Sequence, residues 1–222
     1  MDERRFYIAS EEEILSGKVT DIYFARTRQI LEKKGKENVE TYAEIHAYNF
    51  PKDYRWAIAA GIYEAARLLE GKPINVYAFE EGEFFRIYEP IMAIEGRYAE
   101  YGIYESSLLG ILRHATSIAT KAARLRLAAG DKTLLFFGIR SVHPAIAPMV
   151  DRYALIGGCD AVSSIIGAEL AGVKPVGTMP HALILVFGSQ AEAWKAFDEI
   201  MPEEVPRIAL CDTLSDERFE AL

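Results

Sequence analysis

Phe136 to His181 holds the residues whose types and order could do chemistry. The run reads FFGIR, then VHPAIAPMVDRYALIGGCDAVSS, then PVGTMPH, short apolar stretches each ending in a polar or charged group beside glycine. Strands that deliver side chains to the mouth of an α/β barrel have that grammar. Three strand ends would then present Arg140, Asp160 and His181: a cation, an anion and a titratable base. A guanidinium is a planar fork matched to carboxylate or phosphate, and the bland reading of Arg140 is a surface salt bridge. Of Phe136 and Phe137, one must face the core and the other away, since strand side chains alternate. Phe137 sits near enough in sequence to stack on a ring whose carboxylate Arg140 holds. A single histidine is more often structural than catalytic, and that weighs on His181. Asp212, followed by Thr213, suits ribose hydroxyls or a hydrated Mg2+, and equally an N-cap for the last helix. His143 before Pro144 reads as a cap, Tyr23 as a core aromatic, His46 and His114 as structural. Cys159 and Cys211 lack the spacing of a metal site.

The elements that must position these groups fall into two styles. Up to about residue 105 the chain reads as a mixed α+β domain. Helices are expected over Glu11–Ser16, Asp21–Lys34 and Trp56–Leu69, a half-buried strand over Val39–Tyr48, and a hairpin of Ile74–Phe79 with Phe84–Tyr88 across a Glu81-Gly82 turn. Pro90–Gly96 adds a short strand. Tyr101–Ala129 has a broad apolar face and reads as a buried helix, with Gly102 and Gly110 as candidate breaks. From residue 106 onward helix and strand alternate with short connections: strands at Leu134–Gly138, Ala161–Ser164, Lys174–Val176 and Arg207–Cys211, with helices between them. That alternation predicts a parallel sheet. The expected fold is therefore α/β, an N-terminal α+β domain (1–105) followed by the first about four βα units of an irregular TIM-like barrel (106–222), incomplete because four units do not close a barrel. An open apolar edge after the fourth strand would make this the front part of a longer polypeptide.

A chain of 222 residues, half of them hydrophobic, supports a sizeable core. Its formal charge of −8 carries no basic stripe, which argues against a nucleic-acid partner. No apolar run reaches the roughly 18 residues that span a bilayer, and MDERRFY is not a signal peptide. A cytoplasmic protein is the expectation.

Taken together, TDIYFARTRQIL, EYGIYESSLLGILRHATSIATKAARLRLAAG, FFGIRSVHPAIAP, GGCDAVSS, GVKPVGTMPH and ALCDT resemble the N-terminal half of a nicotinate phosphoribosyltransferase of the compact archaeal type. The resemblance implies transfer of the phosphoribosyl group of phosphoribosyl pyrophosphate (PRPP) to nicotinate, giving nicotinate mononucleotide and pyrophosphate for NAD salvage. It implies Mg2+, ATP as an optional cosubstrate in a ligase-type coupling, and a homodimer or higher oligomer with shared active sites. It places nicotinate between Phe137 and Tyr23 of a partner subunit, Arg140 on its carboxylate and Asp160 beside the ring. His181 matches a histidine that relatives phosphorylate, and Asp212 an acid near ribose and metal. The phosphate-binding loops of a back half are missing, so the chain alone is expected to be inactive. Two alternatives stand beside this. One is quinolinate phosphoribosyltransferase, disfavoured because no lysine follows Arg140 to take a second carboxylate. The other is a non-catalytic truncated barrel used for binding or assembly.

Overall fold

Polar and apolar residues alternate through Glu40–Ile45, and the computed structural model forms strand β1 there with every second residue exposed. The structure describes residues 4–51, 53–214 and 216–221. The chain divides into two compact units, one up to Pro175 and one from Val176. Among the described residues no helix is long and apolar enough to cross a membrane.

The first unit opens with α1 (Glu11–Leu15), started by a reciprocal Ser10–Glu13 capping box, and α2 (Ile22–Lys33). After β1 come β2 (Ala57–Ile58), α3 (Ile62–Leu69), β3 (Ile74–Ala78), β4 (Phe84–Phe85) and β5 (Met92–Arg97). β5 lies between β1 and β3, antiparallel to both. Its residues Met92 and Ile94 are buried because this face of the central strand packs on α3 and the long helix that follows. Two expectations change here. The helix expected from Trp56 begins only at Ile62, after Gly61 adopts a left-handed φ of 79°. A Cβ on Gly61 would sit 2.8 Å from the Ala115 Cβ, so glycine is required by both its backbone and its neighbour. Phe84–Phe85 pairs with β2 rather than returning along β3, so the expected hairpin does not form.

A short helix α4 (Tyr98–Tyr101) and a 3-10 turn lead into α5 (Glu105–Ala129), which runs through Gly110 unbroken. The Leu108–Leu112 end of α5 packs on α3 and the three-stranded sheet. Farther along, Ala115 and Ala119 close on Ile58, Ala60 and Tyr153. Tyr153 belongs to α6 (Ala147–Ile156). Gly157, just after α6, lies so near α5 that a Cβ would be 2.4 Å from the Ala119 carbonyl oxygen. Small residues thus set the α5–α6 separation. β6 (Leu135–Phe136) and β7 (Ala161–Val162) form a two-stranded parallel pair, and α7 (Ile165–Ala171) follows.

The second unit holds α8 (His181–Phe187), α9 (Gln190–Ile200) and α10 (Glu217–Ala221). The expected strands at Lys174–Val176 and Arg207–Cys211 are absent: both segments are irregular. Pro175 has no N–H to give a ladder. Around Arg207 the guanidinium takes the carbonyls itself, donating to Asp198 O, Met201 O, Pro202 O and Val205 O. Among the described residues the parallel sheet is therefore two strands, not about four.

Candidate active site

The C-terminal end of β6 carries the first group of candidate residues. Phe136 packs into a small cluster with Ala122, Ala154 and Cys159. Its ring also lies over Gly138, where a Cβ would be 2.2 Å from Phe136 Cζ. The chain can turn there only because position 138 has no side chain. It enters a 3-10 turn, Gly138–Ser141, so Arg140 sits on a turn rather than on a strand end. Alternation sends Phe137 the other way, and it is 51% exposed. Arg140 is exposed, and none of the ion pairs among the described residues involves it. One turn thus offers an aromatic face and an uncommitted guanidinium. Three residues on, His143 Nδ1 accepts the Ala145 N–H at 3.2 Å, the cap expected of it. That bond places the proton of the neutral ring on Nε2.

Asp160 is elsewhere. It precedes β7, and in a parallel pair the residue before one strand lies beside the residue before the other. The Asp160 N–H donates to Leu134 O at 2.8 Å, and its carboxylate accepts from Leu134 N at 2.7 Å and from Arg126 Nη1 at 2.8 Å. Asp160 therefore clamps the N-terminal end of the β6–β7 pair, opposite the end that carries Arg140. The expectation that both reach one mouth is corrected. The strand is two residues long, too short for its pattern to tell which end Asp160 would occupy. The Leu134 amide, then the Arg126 guanidinium, hold the Asp160 carboxyl below the usual carboxylate range. Its stabilising contribution is present above the ordinary value and is lost as pH falls through the lowered one. Asp160→Asn should flatten the loss of thermal stability below about pH 4, measured as Tm against pH. An unchanged acid limb would remove the clamp.

Tyr23, expected as a core aromatic, lies on α2 at 56% exposure with its ring 4.3 Å from that of Phe24. The core position on α2 belongs to Phe24 instead.

In the second unit His181 is the first residue of α8 and is exposed. Asp212 and Thr213 approach its two ring nitrogens: Thr213 Oγ1 is 3.3 Å from Nδ1, and Asp212 Oδ1 is 3.8 Å from Nε2. A base, a carboxylate and a hydroxyl converge there. The fit to Mg2+ is through Asp212 alone, since no group of three metal-binding side chains forms among the described residues. Mg2+ commonly takes one or two carboxylates and completes its shell with water and substrate phosphates. Sequence reasoning missed Glu220 and Gln190, which hold the Asp212–Thr213 segment from behind. A buried carboxylate on a five-residue helix gave no signal of its own.

Comparison with known proteins bears on the chain as a whole. The sequence model of the quinolinate phosphoribosyl transferase N-terminal domain matches residues 21–116, and that of its C-terminal domain matches residues 118–222. The two adjoin inside α5 and follow the family's order. The chain belongs to the quinolinate phosphoribosyltransferase family. The structure of nicotinate-nucleotide pyrophosphorylase from Pyrococcus furiosus is 56% identical, with a TM-score of 0.96 over 98% of this chain and 56% of that one. Nicotinate phosphoribosyltransferases also match: that of Bacillus subtilis is 37% identical over 139 residues, 62% of this chain and 28% of its own length. That of Caenorhabditis elegans is 36% identical over 132 residues, 59% of this chain and 24% of its own length. The chain spans about half the length of the Pyrococcus furiosus protein and about a quarter of these two relatives.

These findings correct the reading of the chain as the N-terminal half of a nicotinate phosphoribosyltransferase. Both the N-terminal and the C-terminal domain of the quinolinate phosphoribosyltransferase family are represented, and the fold is that of the Pyrococcus furiosus structure. The fold expectation is corrected with it to the N- and C-terminal domains of that family, as are nicotinate as the acceptor and the activity built on it.

Proposed function

We propose that the protein carrying this chain transfers the phosphoribosyl group of PRPP to quinolinate, a pyridine bearing two adjacent carboxylates. The observation that carries this reading is the ordered match of both quinolinate phosphoribosyltransferase domains across residues 21–222. The name of the 56% identical Pyrococcus furiosus structure, nicotinate-nucleotide pyrophosphorylase, agrees with it.

The pyridine nitrogen attacks C1′ of PRPP, the C1′–oxygen bond breaks and pyrophosphate leaves. The bond from C2 to its carboxylate then breaks, CO2 departs, and the electron pair remains on C2 beside the cationic nitrogen until a proton arrives. The product is nicotinate mononucleotide, a precursor of NAD. Release of CO2 makes the sequence irreversible, so this reading gives ATP no role.

In this account Arg140 holds a carboxylate of quinolinate and Phe137 covers one face of the ring. Holding an anion fixes the ring nitrogen in line with C1′, and positioning of this kind supplies much of the acceleration in a group transfer. Within the second unit, taken by itself, His181, Asp212 and Thr213 offer a base, a carboxylate and a hydroxyl suited to ribose hydroxyls and phosphate. Asp212 would hold Mg2+, which would supply charge neutralisation for a departing pyrophosphate. Tyr23, exposed on α2, is the aromatic available to a second subunit in a dimer.

Calorimetric titration of the full-length protein tests the acceptor. Quinolinate should bind at least about tenfold more tightly than nicotinate, since a second carboxylate adds charge-assisted hydrogen bonds. Tighter binding of nicotinate would overturn the reading.

A further inference from the structure

Glu220 is an acid that no step above uses, yet it is 6% exposed. A buried carboxylate is costly unless its lone pairs are taken up. Here three donors take them. Thr213 N–H donates to Oε2 at 2.8 Å, Leu214 N–H donates to Oε1, and Gln190 Nε2 donates to Oε2 at 3.1 Å. Gln190 Nε2 also donates to the Leu210 carbonyl at 3.0 Å. The segment 210–214 has no strand ladder, so its backbone groups depend on these two side chains. That same segment carries Asp212 and Thr213, the two residues that approach the His181 ring.

We propose that Glu220 and Gln190 form a latch that positions Asp212 and Thr213 against His181. Glu220 touches no substrate atom in this account and acts through the loop it holds, as a positioning residue. Two successive amides bound to the two oxygens of one carboxylate fix the peptide planes on either side of Thr213. Gln190 fixes the chain at Leu210. With both ends held, the Asp212 side chain has little choice of direction. Neutralising or shortening Glu220 frees the loop without removing any group that meets substrate.

The proposal rests on placing His181 and Asp212 in the site, and its test does not depend on which acid is the acceptor. Nitrogen-15 NMR of the full-length protein follows the Thr213 and Leu214 amides and the histidine rings, of which this chain has four. In Glu220→Ala those two amides should exchange with solvent about tenfold faster or more, as expected for loss of a charge-assisted bond. The His181 ring signals should move, while those of His46, His114 and His143 stay. Glu220→Gln keeps the shape and one carbonyl oxygen, which guards against a variant that does not fold. It should keep one of the two amides protected and move the His181 signals part of the way. In steady-state assays both variants should lower kcat with the KM of the acceptor nearly unchanged. Unaltered Thr213 and Leu214 exchange in Glu220→Gln, or unmoved His181 signals, would overturn the latch. Latch signals that change as expected in the variants, together with no quinolinate turnover by the unsubstituted protein, would instead count against the function proposed above.

Discussion

Arg140→Ala is expected to lower kcat/KM for quinolinate roughly ten- to a hundredfold, the worth of about 1.5–3 kcal/mol for a hydrogen bond to a charged group. The expectation follows from where Arg140 stands. Its guanidinium is exposed on the turn after β6 and unpaired with any carboxylate among the described residues, so folding has given it no internal anion to hold. For the same reason the substitution should leave Tm unchanged. Arg140→Lys supplies a point charge without the planar fork and should recover only part of the loss. Steady-state kinetics with melting curves separate the cases. Full activity in Arg140→Ala would remove this residue from the site, and a lowered Tm would give it a structural role instead.

The largest effect on stability belongs to Tyr153. It is 1% exposed, packed among Ile58, Ala60, Ala115 and Ala119 where α5 and α6 close together. Its hydroxyl donates to Glu64 Oε2 at 2.6 Å, joining α6 to α3. Burial, with the Glu64 carboxylate beside it, pushes the Tyr153 phenol far up, so it stays a neutral donor throughout any working pH. Tyr153→Ala loses both the packing and the bond and leaves a cavity beside small residues that cannot fill it. The expected cost is about 3–5 kcal/mol. Tyr153→Phe keeps the ring and strips Glu64 of its donor, for about 1–3 kcal/mol. Denaturant unfolding measures both. A cost below about 1 kcal/mol for the alanine variant would mean the α5–α6 contact is not held by this ring.

Long periodic elements were legible in the sequence. α2, α5 and α9 lie where apolar residues recur at helical spacing, and β1 lies where they alternate. Among the two-residue strands, β6 and β7 lie within expected strands, whereas β2 lies in an expected helix and β4 was expected to pair with β3. β2 and β4 exist only because each pairs with the other, and a pairing that reaches across the whole of α3 and β3 leaves no local pattern. Asp160 shows the cost of that shortness: sequence order put it near a strand, and the register put it at the end away from Arg140. The strands expected at 174–176 and 207–211 were apolar enough to qualify. In the second of them, side chains of Arg207, Gln190 and Glu220 take up backbone groups in and around the segment that a ladder would have used. Among candidate residues, alternation said that one of Phe136 and Phe137 faces outward without saying which, and charge left Arg140 open between a ligand role and a surface salt bridge. Glu220 could not be read, because its importance comes from burial.

Labelled CO2 is the readout that bears hardest on quinolinate as the acceptor. Quinolinate carrying carbon-14 at the C2 carboxylate, incubated with Mg2+, PRPP and the full-length protein, should yield labelled CO2 and nicotinate mononucleotide in equal amounts, with no requirement for ATP. Formation of the mononucleotide from nicotinate, with no labelled CO2 from quinolinate, would contradict it.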